Sequence, residues 1–212
     1  MRQRDARRSG GHRGQPDQEG SYLDALTKAY AVVLDAAGVR EDSYLDLVNT
    51  PKRVAKMMAN ELLSSYAPGA DEKLVAGFTT FPANGKQEMV VEVGIPFVSL
   101  CAHHMIPFVG KASVGYIPGE RIVGLSKIPR AVDFFSHKLQ IQERMTSEVA
   151  DFMVEHLQPL GVIVYVEAEH LCMSARGVRK PGVVTVTSAL RGVAAEAHVK
   201  AEFMAIISRQ TR

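Results

Sequence analysis

The sequence predicts an α+β protein, an antiparallel four-stranded sheet with a helical pair, preceded by N-terminal helices. Three observations support this. EMVVEVGIPFVSL (88–100) and KASVGYIP (111–118) read as two strands joined through CAHHMIPFVG. SKIPRAVDFFSHK (126–138) and QIQERMTSEVADFMVEHL (140–157) then read as helices, the second with Ile141, Met145, Val149, Phe152, Met153 and Leu157 on one side. GVIVYVEAEHLCM (161–173) and GVVTVTSALRG (182–192) are rich in β-branched residues and alternate in polarity. Strand pair, helix pair, strand pair is an order that builds an antiparallel sheet and not alternating βαβ units.

The elements follow in order. Residues 1–20, MRQRDARRSGGHRGQPDQEG, hold five arginines against three acids and almost nothing apolar. Such a segment cannot bury enough surface to offset ordering its backbone, so a disordered basic tail is expected there. Residues 21–70 form a helical segment. SYLDALTKAYAVVLDAA (21–37) shows helical spacing through Leu23, Leu26, Tyr30, Val33 and Leu34, with Gly38 as its stop. NTPKRVAKMMANELLSSY (49–66) opens with Thr50 as N-cap and Pro51 at the first helical position. Its stripe Val54, Met57, Met58, Leu62 reads as core packing, and Pro68-Gly69 ends the preface. Residues 71–212 are the main domain, closed by Pro159 and Gly161 after the long helix and by a last helix, HVKAEFMAIIS (198–208).

Composition excludes several classes of function. Outside the tail, the other 192 residues hold 20 basic and 20 acidic side chains, whereas a general nucleic-acid binder needs a basic surface. No apolar run approaches the 18 or more residues of a membrane span, and no apolar stretch of a signal peptide follows the N-terminal charges. The chain reads as cytoplasmic, where two cysteines are thiols or ligands more often than a structural disulfide.

Those two cysteines each have histidine within three positions. Cys101 and His104 are spaced C-x-x-H, so a single turn can aim both at one point. Val162, Val164, Val166, Ala168, His170 and Cys172 alternate along one predicted strand and so share its buried face. Chance proximity and a buried thiol acting as a small hydrophobe are the competing explanations. If a metal is bound, thiolate plus imidazole favours zinc over magnesium or calcium. Cys101, His104 and Cys172 would leave a fourth tetrahedral position for water. His103 and His170 would stay free as acid–base groups titrating near neutrality.

A second group stands out in the otherwise neutral body. Ser126, Lys127 and Arg130 lie in GLSKIPR, and Arg176, Arg179 and Lys180 in ARGVRK. A solvated charged face is the ordinary fate of such residues. Against that, Ser126-Lys127 begins a predicted helix, whose free N–H groups favour anions, and Arg176 follows Cys172 closely. A phosphate-bearing substrate is the corresponding expectation. Gln142-Glu143-Arg144 opens the long helix, either as its cap or as part of a site.

SLCAHHMIPFVGKASVGYIP, GLSKIPR, QIQER and EHLCMSARGVRK, in this order, closely resemble GTP cyclohydrolase I, and NTPKRVAKM resembles the family too. The likeness covers about residues 22–208. It implies the tunnelling fold, with sheets of neighbouring subunits forming barrels in a homodecamer and active sites between subunits. It implies conversion of GTP and water to 7,8-dihydroneopterin triphosphate and formate. Cys101, His104 and Cys172 would be the Zn2+ ligands. His170 would protonate N7 of guanine while water activated at the zinc attacks C8, and His103 would serve the later proton transfers. Gln142 and Glu143 would belong to the substrate site, Glu143 receiving the guanine edge. Ser126, Lys127, Arg130 and Arg176 would hold the triphosphate. One position departs: the family reads C-E-H-H where this chain has Cys101-Ala102-His103-His104. A paralogue with altered output in another pterin or deazapurine pathway, and a non-catalytic GTP-binding assembly protein, are the alternatives this leaves.

Overall fold

A computed structural model describes residues 18–40, 45–85 and 88–209. The chain divides between Ala59 and Asn60 into two compact units.

The first unit pairs two helices, α1 (Gln18–Ala36) and α2 (Thr50–Met57). α1 begins inside the segment expected to form the tail; positions 1–17 lie outside the described residues. Thr50 is the first helical residue of α2 and not its cap, which falls on Asn49 in a left-handed conformation (φ 67°). The Thr50 hydroxyl is engaged elsewhere: Arg53 donates to Thr50 Oγ1 (2.7 Å), Val48 O (2.9 Å) and Asp46 O (2.6 Å), closing the preceding loop. The single helix expected to reach Tyr66 instead passes into a π-helical turn, Met58–Leu62, and a 3-10 turn, Ser64–Tyr66.

The second unit holds β1 (Thr80–Pro82), β2 (Val90–Cys101), β3 (Pro107–Ile117), β4 (Arg121–Val123), β5 (Leu139–Gln140), β6 (Gly161–His170) and β7 (Val184–Gly192). Its helices are α3 (Ala70–Gly77), α4 (Lys127–Ser136), α5 (Gln142–Leu157), α6 (Leu171–Ser174) and α7 (Ala197–Ser208). The main sheet runs β5-β2-β3-β6-β7. Its four long strands are antiparallel as expected, and the two-residue β5 adds a parallel edge to the end of β2. α3 and the small β1–β4 ribbon were not foreseen, being too short to show a period.

Alternation along β6 sorts the core into two layers. Val162, Val164 and Val166 face α4 and α5, packing with Ile128, Val132, Met145, Val149 and Met153. Ile163 and Tyr165 face α7, packing with Val199, Phe203 and Ile207. Gly115 makes the second layer possible, because a Cβ there would lie 2.8 Å from the Phe203 ring.

One group interrupts this core. The β2–β3 register slips between Glu92 and Ile95, where Gly94 has φ +73°. Glu92 Oε1 is buried without a hydrogen-bond partner among the described residues, and burial pushes its carboxyl pKa up. The folded state therefore holds the Glu92 proton more tightly than the unfolded chain does. The stability linked to that proton is present below the unfolded pKa and is lost as pH rises through the folded one. Glu92→Leu is expected to raise the melting temperature at pH 7 by roughly 2–4 °C, about 1 kcal/mol, with the gap narrowing under acid. A thermal melt at pH 7 and pH 4 checks this; a variant less stable at pH 7 would contradict it.

Candidate active site

The site forms where the long strands end. β2 delivers Cys101 as its last residue, and the chain turns back at once: Met105 N donates to Cys101 O (2.8 Å) and Cys101 N to Ile106 O (2.9 Å). Met105 closes the turn in a left-handed conformation (φ 54°). The turn brings both neighbouring imidazoles to the thiol, with His103 Nδ1 3.7 Å and His104 Nδ1 3.8 Å from Cys101 Sγ.

Cys172 arrives differently from the expectation. β6 stops at His170, whose partner Phe108 lies next to Pro107 at the start of β3, so Leu171 meets no further strand. The chain winds instead into α6, with Ala175 N on Leu171 O (2.9 Å), and this helical turn presents Cys172. Ligand atoms of Cys101, His104 and Cys172 nevertheless lie within 4.8 Å of one another. Burial pushes the Cys172 thiol up, and the neighbouring Cys101 adds to it. Two thiols this close, one of them resisting ionisation, suit a cation that would stabilise both thiolates. Two sulfurs and one imidazole form a donor set for a zinc-class ion, not for magnesium or calcium.

Beside the cluster, the His170 ring stacks on Phe108 (centroids 4.6 Å apart, 6° between planes). Its Nε2 lies 2.8 Å from Gln142 Oε1. The orientation of that amide follows from its other end, where Nε2 donates toward Val166 O (3.1 Å), Thr185 O (3.0 Å) and Thr187 Oγ1 (3.1 Å). Thr146 Oγ1 donates to Gln142 O (2.7 Å), so its contact with Thr187 Oγ1 (2.7 Å) is one it accepts. Each donor then has an acceptor, and Gln142 Oε1 can only accept. His170 Nε2 must carry the proton, which leaves Nδ1 as the open nitrogen of the neutral ring. Burial lowers the His170 pKa, with the charge of Glu143 opposing.

Gln142, expected at the substrate, is thus 1% exposed, with both amide ends bonded inside the protein. Glu143 is exposed at the start of α5 and acts electrostatically on His170. Sequence reasoning missed Thr146, Thr187 and Phe108; a threonine on the buried stripe of α5 was the available signal for the first.

The cationic group is only partly assembled in one chain. Ser126 immediately precedes α4 without a side-chain capping bond, and Lys127 and Arg130 line a cleft of about 330 Å³ with Ser64, Lys73, Phe134 and His137. The lining includes no carboxylate and none of the cysteine–histidine cluster. Arg176 is exposed and near enough to Cys172 to favour its thiolate.

Fold and site together describe an α+β protein with a candidate mononuclear Cys–His–Cys centre at the ends of an antiparallel sheet. The chain belongs to the GTP cyclohydrolase I family, whose profile matches residues 26–208, and the fold is the tunnelling fold that the motifs implied. It is 46% identical to GTP cyclohydrolase 1 of Halalkalibacterium halodurans over 87% of this chain and 96% of that protein. With the Bacillus subtilis GTP cyclohydrolase 1 it shares 46% identity over 88% of this chain and 96% of the other. With the Thermobifida fusca GTP cyclohydrolase 1 it shares 49% over 86% of each.

Gln142→Leu removes the acceptor that fixes the His170 tautomer and strands the carbonyls of Val166 and Thr185. The expected result is a loss of about 1–3 kcal/mol in stability. Imidazole 15N shifts should show His170 protonated at Nε2 in the native chain and a tautomer mixture in the variant. Unchanged shifts would contradict the hydrogen-bond assignment.

Proposed function

We propose that this chain is a GTP cyclohydrolase I that converts GTP and water to 7,8-dihydroneopterin triphosphate and formate, the entry step to folate and pterin synthesis. The observation that carries the reading is the convergence of Cys101, His104 and Cys172 beside a neutral, oriented His170 in a chain whose family match spans residues 26–208.

In this reading Cys101, His104 and Cys172 hold Zn2+. When bound, the ion acts as a Lewis acid that makes water nucleophilic at neutral pH. The residues around it do the rest. His170 faces the guanine through Nδ1: that nitrogen first takes a proton from solvent, then passes it to N7, which makes C8 a better electrophile, and the ring returns to its neutral form with Nε2 protonated. Gln142 serves this step indirectly, by holding the ring. His103, exposed beside Cys101, moves protons during ring opening and formate release. Glu143 accepts from guanine N1–H and N2–H, a pair that adenine does not offer. Ser126, Lys127, Arg130 and Arg176 hold the triphosphate.

Ala102 is compatible with this chemistry. Its side chain is exposed, and the turn uses only its backbone N–H, which donates to Gln140 O (2.8 Å). Assembly as a homodecamer with sites between subunits is part of the proposal. In support, β7 ends the sheet with Val184 and Val186 exposed (53% and 51%), and the cation-lined cleft stands apart from the cluster within one chain. A cytoplasmic location belongs to the proposal too; no helix among the described residues is long and apolar enough to cross a membrane.

Purified chain incubated with GTP should release formate and a product of the dihydroneopterin triphosphate mass. His170→Ala should keep its zinc and lower kcat by about 10²–10⁴-fold. Loss of zinc from a folded His170→Ala protein would overturn the division between ligand and acid.

A further inference from the structure

The first turn of α5 sends its three polar residues to three different places. Gln142 goes to His170, and Glu143 is exposed beside it. Arg144 turns back onto β5, where Nη2 donates to Leu139 O (2.5 Å) and Nε to Gln140 Oε1 (2.7 Å). Gln140 is 1% exposed and fully engaged: its Nε2 donates to Phe135 O (2.9 Å) and Glu148 Oε2 (2.7 Å). The other side of Leu139 is fixed as well, its N–H donating to the Tyr66 hydroxyl (3.3 Å). A two-residue strand is thus held by side chains of α5, by the end of α4 and by the turn at Tyr66.

This short strand has one visible purpose. It pairs with β2 only at Leu100 and Cys101, and the Gln140 carbonyl accepts the N–H of Ala102, the residue that opens the Cys101–His104 turn. The turn otherwise closes on itself: the N–H groups of Cys101, His104 and Met105 all bond to carbonyls within residues 101–106. We infer that Arg144 is a positioning residue for the metal centre, acting through Gln140 and β5 to fix the angle at which Cys101 and His104 are presented to Cys172. This rests on the reading of those three residues as the ligands. Arg144 touches neither ligand nor substrate; it holds the peg on which the turn hangs.

The test is metal affinity in the full-length protein. Zn2+ affinity is measured by chelator competition, and the Co2+-substituted protein supplies a thiolate-to-metal charge-transfer band that reports ligand geometry. Arg144→Ala should weaken Zn2+ binding about 10–100-fold, the range for loss of groups that orient metal ligands. It should also shift the Co2+ band, while circular dichroism stays native. Arg191→Ala, which breaks the pair between Arg191 of β7 and Asp151 of α5 (2.7 Å), should leave both readouts unchanged. Arg144→Lys keeps the charge and loses the fork, so it should fall between the two, and it serves if the alanine variant does not fold. A folded Arg144 variant with native affinity and an unchanged Co2+ band overturns the positioning role. A native chain that binds neither Zn2+ nor Co2+ overturns the ligand assignment itself, a different failure and a distinguishable one.

Discussion

Two thiols are brought together where a sheet runs out of strand, and the rest of the site is arranged around that enforced proximity. Cys101 is the final residue of β2, and Cys172 sits on the helical turn that β6 becomes just past its last pair with β3, His170–Phe108. Each position follows the end of a long antiparallel ladder with a buried face. The neighbouring Cys101 adds to the burial that pushes the Cys172 thiol up, and a cation held between the two sulfurs would favour the thiolate instead. The same ladder end places His170 beside the cluster and stacks it on Phe108.

The start of α5 organises the second half of the site. Its first turn is bonded to β6 and β7 through Gln142 and to β5 through Arg144, so one helix terminus is tied to four of the five strands when β2 is counted through β5. A helix start is well suited to this task, since its first side chains radiate in different directions over a single turn. The closed chain of hydrogen bonds from Gln142 through Thr187 and Thr146 back to Gln142 leaves that amide one orientation. Catalytic imidazoles require that kind of constraint, because a ring free to exchange tautomers offers the wrong nitrogen part of the time.

Much of this was legible in the amino acids, and the misses have physical causes. The long elements announced themselves by period: β-branched alternation over 161–170 and the apolar stripe of α5 need a two-layer core, and they form one. C-x-x-H and H-x-C located the cluster, although Cys172 comes from a helical turn, because strand alternation says nothing about where a partner strand stops. α3, β5 and the β1–β4 ribbon are too short for any periodicity to appear. Thr50 had the right chemistry for a cap but lost the role to its own neighbour, since Arg53 takes its hydroxyl. Gln142 carried a motif that points to substrate, and only three-dimensional burial reveals that it faces inward. Side chains that act through other side chains leave little trace in a linear pattern.

The central claim is that Cys101, His104 and Cys172 converge on one ion and leave it an open corner. X-ray absorption at the zinc K-edge of the purified full-length chain tests this most directly. Two sulfur scatterers near 2.3 Å, one imidazole near 2.0–2.1 Å and one further light atom are the expected shell. A shell with fewer than two sulfurs, or one filled by four protein ligands, would contradict the account.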